Sequence, residues 1–175
     1  MTTWNIDVAH TNLSFSVKHL MVSKVRGTFT DFEGTIEGNP EELSSSKIQF
    51  KVDMNSIDTN NEGRDDHLRS ADFFETEKYP NMTFTSTKIE KTAGAKYDVT
   101  GDLTIKDVTK PVTFHAEFEG KAVDPWGNEV VGFTVNGEID RKDFGLTWNQ
   151  TLETGGVVVG ESIKITIELE ANPAK

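Results

Sequence analysis

The side chains able to do chemistry near neutral pH are few and scattered. Four histidines, His10, His19, His67 and His115, carry the ordinary acid–base potential of the chain, and there is no cysteine to serve as nucleophile, metal ligand or disulfide partner. Catalysis and zinc binding both require such groups at close, defined spacings. No H-E-x-x-H, no G-x-S-x-G nucleophile elbow and no glycine-rich phosphate loop after a strand pattern occurs here. Asp53-Met54-Asn55 begins like a calcium loop. Ile57, Asp58 and Arg64 then occupy the fifth, sixth and twelfth positions, where an oxygen ligand, a glycine and a glutamate are needed. The sequence therefore predicts no catalytic residue, no metal ligand and no cofactor, and binding rather than catalysis.

Two charged clusters remain. In Arg64-Asp65-Asp66-His67-Leu68-Arg69, cationic side chains beside a helix N-terminus can meet a diphosphate or other polar headgroup. Asp65, Asp66 and Asp72 can equally pair those cations and leave only a solvated charged face. Arg64, His67 and Arg69 are kept as headgroup or rim candidates on level terms with that alternative. In Asp140-Arg141-Lys142-Asp143, an arginine between two aspartates beside a turn favours pinning a hairpin over binding a ligand.

These groups must be positioned by a chain of 175 residues, long enough for one well-buried core and read as a single domain. Eighteen basic against 29 acidic side chains give a net charge of −11, a field that repels nucleic-acid phosphates and anionic lipid surfaces. Nucleic acid is excluded as a partner on that ground. The longest purely apolar run is Val157–Val159, far short of the roughly 20 residues of a spanning helix, so no membrane span is expected. Residues 1–7 show neither the basic nor the apolar region of a secretory signal, and a cytoplasmic location is the expectation.

Period-2 alternation dominates the rest. Ile163, Ile165, Ile167 and Leu169 share one face while Ser162, Lys164, Thr166 and Glu168 share the other. The same parity groups Leu13, Phe15 and Val17; Ile48, Phe50, Val52 and Met54; Val112, Phe114, Ala116 and Phe118; and Val131, Phe133, Val135 and Ile139. Segments Val25–Glu37, Asn81–Glu90 and Tyr97–Ile105 bring the total to about eight strands. Asp124-Pro125-Trp126-Gly127 has the type I turn pattern, and Pro111 is expected at a strand start or an edge beside the turn at Lys106–Lys110. Thr59-Asn60-Asn61-Glu62 has capping-box spacing and predicts one short helix in the 60–74 region, with Leu68, Phe73 and Phe74 plugging an open end. Strands with one apolar face each suit a closed barrel or a two-sheet sandwich equally, and periodicity does not choose.

Longer patterns do choose. Trp4-Asn5-Ile6-Asp7 with His10, Phe15-Ser16-Val17-Lys18-His19, Val25-Arg26-Gly27-Thr28-Phe29 and Ile57-Asp58-Thr59 occur in one order with Arg64-Asp65-Asp66-His67-Leu68, Asp72-Phe73-Phe74 and Tyr79-Pro80. Gly101-Asp102-Leu103-Thr104-Ile105, Val108-Thr109-Lys110-Pro111-Val112, Asp140-Arg141-Lys142-Asp143-Phe144-Gly145 and Trp148 complete the series. Together they resemble the YceI-like family over nearly the whole chain. The departure is Val8-Ala9, where a proline and a small residue are expected before His10. The resemblance implies an all-β fold: an extended eight-stranded antiparallel lipocalin-like barrel with one short helix. It implies a polyisoprenoid or similar long amphiphile in the central pore (a polyprenyl diphosphate, a polyprenol or an isoprenoid quinone), and a homodimer. Exported relatives carry a leader that this sequence does not show.

On that reading Phe15, Val17, His19, Phe29, Phe50, Phe84, Leu103, Phe114, Phe118, Phe133 and Trp148 are the pore-lining candidates, His19 near an opening where a headgroup could be met and Trp148 either bordering the pore or capping a strand. For any one phenylalanine, plain core packing is favoured over ligand lining, and for His19 a buried, hydrogen-bonded role over a headgroup contact. Two other functions stay open: a stress-response or interaction scaffold whose core is filled by its own side chains, and a hydrolase acting on a lipid-like substrate.

Overall fold

The computed structural model describes residues 2–19, 23–146 and 159–174; Trp148 and the side chain of His19 lie outside the described residues. Among the described residues eleven strands form one antiparallel sheet: β1 (Thr3–Ile6), β2 (Asn12–His19), β3 (Ser23–Phe29), β4 (Phe32–Asn39), β5 (Glu42–Asp53), β6 (Ile57–Asp58), β7 (Asn81–Ala93), β8 (Lys96–Ile105), β9 (Val108–Val123), β10 (Glu129–Asp140) and β11 (Val159–Pro173). Neighbours run β1-β4-β5-β7-β8-β9-β10-β11, and β11 pairs back to β1 through Trp4↔Pro173 and Ile6↔Ala171. Eight strands thus close a ring, which leaves none of them an edge strand along its whole length. Strands β2, β3 and β6 extend from β11 below that ring.

The segment Val25–Glu37, read from the sequence as one strand, is two. It breaks at Thr30–Asp31, between β3 and β4. Neighbouring strands break at the same level, with short 3-10 turns at Val8–His10 and Met54–Ser56. Each turn is capped by the aspartate before it: Ala9 N–H donates to Asp7 (3.1 Å) and Asn55 N–H to Asp53 (2.9 Å). Backbone bonds from Asp53 N–H to Asp31 (2.9 Å) and from Met54 N–H to Pro80 (2.9 Å) hold the breaks in register. Above this belt the wall is ring strands alone; below it, β2, β3 and β6 share the wall with a helix.

That helix, α1 (Glu62–Arg69), starts two residues later than the capping-box reading requires. Asn61 is the N-cap, its side chain accepting from Arg64 N–H at 3.0 Å. Thr59 is unavailable as a cap because its N–H (3.0 Å) and its hydroxyl both donate to the buried Asp65 carboxylate.

The hairpins follow their turn chemistry. At Asp124–Asn128 the Asp124 carboxylate accepts from Trp126 and Asn128 N–H, each at 2.9 Å, and Gly127 takes φ +85°. Pro111 pairs with Asp102 of β8, while β10 joins β9 only from His115 onward, so proline sits where β9 has a single partner.

Candidate functional site

The inward parity of the ring strands collects apolar side chains: Trp4, Ile36, Val52, Phe84, Val99, Leu103, Phe114, Phe133 and Ile165 are all buried. Others of the same parity, including Phe15, Phe50, Ile163, Ile167 and Leu169, remain only half-buried. An inward side chain that keeps solvent-accessible surface borders empty space, and two chambers lie along the axis. The upper has a volume of about 100 Å³ and the lower about 240 Å³. Together they reach the low end of the ~300–1,000 Å³ typical of ligand cavities.

Glycines explain why a barrel rich in phenylalanine is not solid. Gly27, Gly34, Gly101 and Gly137 lie inside strands, and a β-carbon at any of them would fall within 3.0 Å of the ring of Phe15, Phe50, Phe84 and Phe114 respectively. Phe15 and Gly27 are direct cross-strand partners, as are Phe50 and Gly34. Each ring lies over backbone that offers no side chain, flat against the wall instead of across the axis. Edge-to-face packing of Phe84 on Phe114 (centroids 5.2 Å, 84°) fixes two of the four rings.

The upper chamber is bordered by Phe50, Phe84, Leu103, Phe114 and Phe133 of the predicted set. Among the described residues no charged one borders it. The lower chamber is bordered by Phe15, Val17, Phe29, Arg64 and His67 of the predicted set, together with Leu68, Phe73 and Phe74 at its α1 end. Phe118 borders neither; it packs on Phe133 at 5.3 Å. Arg69 also borders neither, because its guanidinium donates to the backbone carbonyls of Asn55 (3.2 Å) and Ile57 (3.1 Å) and to Asp66 (3.1 Å), fastening α1 to β6.

Among the described residues, the four charged or chargeable ones bordering the lower chamber, Lys18, Arg64, His67 and Arg141, are basic, and no carboxylate borders it. For a chain of net charge −11 this is a local reversal of sign. Arg64 is held by Thr59, donating from Nε to its hydroxyl (2.8 Å) and from a terminal nitrogen to its carbonyl (2.7 Å). His67 Nε2 lies 2.9 Å from Asp72, and its ring meets Phe73 edge-on at 5.1 Å. Arg141 corrects the expectation of an aspartate-pinned hairpin. Its guanidinium is 2 % exposed and donates to the carbonyls of Gly160 (2.7 Å) and Leu146 (2.5 Å), while Asp140 caps Lys142 N–H (2.9 Å). Burial pulls the Arg141 pKa below its ordinary value.

Lys18, Met82 and Arg141 were not predicted as site residues. Lys18 has the outward parity of β2, so alternation does not point to it; Met82 shares the parity of Phe84, and that signal could have found it. Outside the chambers, Asp7, His10 and Glu170 bring one potential ligand atom each within 4.8 Å of one another on the surface.

Comparison with known proteins places this geometry. Residues 4–171 match the YceI-like domain. A UPF0312 protein of Staphylococcus epidermidis is 44% identical over 171 residues, covering 97% of each chain. The solved YceI protein of Campylobacter jejuni superposes with a TM-score of 0.77 at 38% identity, over 90% of each chain. A domain of Saccharophagus degradans described as polyisoprenoid binding shares the fold over 98% of each chain (TM-score 0.72, 15% identity).

Proposed function

The chain belongs to the YceI-like family, and from that premise we propose that its barrel binds and shelters one long apolar chain, a polyisoprenoid, with the headgroup in the lower chamber and the tail directed into the upper. One observation carries this reading: apolar space along the axis, bordered by side chains that the alternation turns inward but packing leaves half-buried. A scaffold whose core is filled by its own residues has no use for that space.

Affinity comes from area. Each buried methylene contributes about 0.8 kcal/mol, so ten give about 8, which corresponds to roughly micromolar binding before the cost of ordering the chain. A headgroup contact supplies the remainder. Lys18, Arg64, His67 and Arg141 favour an anionic or strongly hydrogen-bond-accepting head, such as a diphosphate. The tail needs no specific partner, and the upper chamber offers almost none. No helix among the described residues is long and apolar enough to cross a membrane.

The test is organic extraction of the purified protein followed by mass spectrometry. The expected result is about one long-chain lipid per barrel. Absence of any lipid, together with failure to take one up on incubation with octaprenyl diphosphate, would sink the proposal. Turnover of an ester or diphosphate surrogate, lost in His67→Ala, would instead favour the hydrolase.

A further inference from the structure

We infer that Met82 is a length gate: it stands at the waist between the two chambers and decides whether a bound hydrocarbon stops in the lower one or threads into the upper. This rests on the carrier reading above and goes beyond it by assigning which residue sets the accepted chain length.

Three side chains border both chambers: Leu13 of β2, Met82 of β7 and Ile165 of β11. They mark the constriction through which any continuous chain must pass. Leu13 and Ile165 are 4% and 9% exposed and sit on strands paired along their length, Leu13 opposite Ile167 and Phe29. Branched side chains so enclosed have little freedom to yield. Met82 is different in kind: it is half-buried, unbranched and rotatable about three bonds, so it can swing aside without disturbing the wall.

The backbone under Met82 is fixed. It pairs with Val52, its neighbour Asn81 pairs with Asp53, and Met54 N–H donates to Pro80 at 2.9 Å. Motion at the waist is therefore confined to the Met82 side chain. The waist also lies at the level where β1 gives way to β2, β3 to β4 and β5 to β6, the same level at which the wall changes from ring strands to strands plus helix. The chambers are unequal, about 240 Å³ below and 100 Å³ above, so a short amphiphile is satisfied by the lower one. A long one must displace Met82 to bury its end.

Each methylene buried is worth about fourfold in affinity, so expelling two of them costs about fifteenfold. The experiment compares retention of farnesol and octaprenol, by native mass spectrometry, in wild type, Met82→Trp and Met82→Ala, with thermal midpoints recorded for each. In Met82→Trp, octaprenol retention is expected to fall about tenfold or more while farnesol is almost unchanged. In Met82→Ala the octaprenol-to-farnesol ratio is expected to rise. Should Met82→Trp fail to fold, the alanine variant alone decides. Wild type that retains both ligands, with a ratio unmoved by either folded variant or with both ligands lost in parallel, overturns the gate and leaves the carrier standing. Wild type that retains neither alcohol and also fails to take up octaprenyl diphosphate overturns the carrier itself, and the gate with it.

Discussion

The two chambers differ in what builds them. The upper is walled by ring strands, with Leu13 of β2 at its lower end, and is bordered by no charge among the described residues, whereas the lower is walled in part by α1, the turn at Arg141–Phe144 and the Phe73-Phe74 segment, and is bordered by four basic residues. Strict period-2 alternation makes a tube that is apolar and chemically mute, because every inward position falls to the apolar parity. Three of the four basic groups at the lower chamber, Arg64, His67 and Arg141, come from places where alternation stops and a helix or a 3-10 turn aims a side chain obliquely; Lys18 alone comes from a strand. The molecule thus separates affinity, supplied by strands, from recognition, supplied by breaks.

Removing the buried cation of the lower chamber is the most severe way to break that division. Arg141→Met leaves the Gly160 and Leu146 carbonyls without their charged donor in a site 2 % exposed. The expected cost is about 3 kcal/mol, read as a drop in urea midpoint at unchanged slope. A loss below about 1 kcal/mol would show that Arg141 is not a structural pin.

The matching insult to the upper chamber is Gly137→Val. Its β-carbon would collide with the Phe114 ring, so about 1–3 kcal/mol of stability is lost and the ring is driven toward the axis, reducing lipid retention. Gly137→Val with Phe114→Leu should recover both. Gly132→Ala is the control, since the nearest atoms to a β-carbon there lie at 3.8 Å and little change is expected. Equal damage at Gly132 and Gly137 would refute the flat-ring account.

A milder change sharpens the contrast. Phe133→Trp adds volume at a position bordering only the upper chamber and should reduce retention of octaprenol about tenfold while costing less than about 1.5 kcal/mol in thermal denaturation. Unfolding, rather than loss of lipid, would mean that the upper chamber behaves as solid core.

How much of this was legible depends on the same division. The strands and their inward faces followed from residues such as Ile163, Ile165, Ile167 and Leu169, because burial on one face forces alternation. Closure of the barrel did not follow, since a sandwich hides the same residues; it came from the family resemblance. The bore was legible in principle: Gly27, Gly34, Gly101 and Gly137 interrupt otherwise ordinary strands, and in-strand glycine signals close approach of a neighbouring ring. Only their partners are non-local, which no single-sequence pattern supplies. The break at Thr30–Asp31 was missed because it is a bend shared with two other strands. The cap moved from Thr59 to Asn61 because a tertiary bond to Asp65 outcompeted a local one.

The smallest expected effect lies at the joint between the two regions, on the outside. His10 ends the turn between β1 and β2, with Nδ1 2.8 Å from Asp7 and 3.9 Å from Glu170. The hydrogen bond to Asp7, then the charges of Asp7 and Glu170, raise its pKa above 6.5. Because the folded value is the higher one, protonated His10 stabilises the fold fully below the unfolded pKa, and that contribution fades as pH rises through the folded pKa. The ring is exposed, so solvent screens the pair and the change in thermal midpoint between about pH 6 and about pH 8 is small. The NMR titration of His10 is the sharper readout, and Asp7→Asn should bring it back toward its ordinary value while keeping the cap on Ala9. If the waist is set by packing inside and not by this exposed pair, the ratio of octaprenol to farnesol retained stays constant across the same pH range. A ratio that follows the His10 titration would instead place control of the waist in the outer joint.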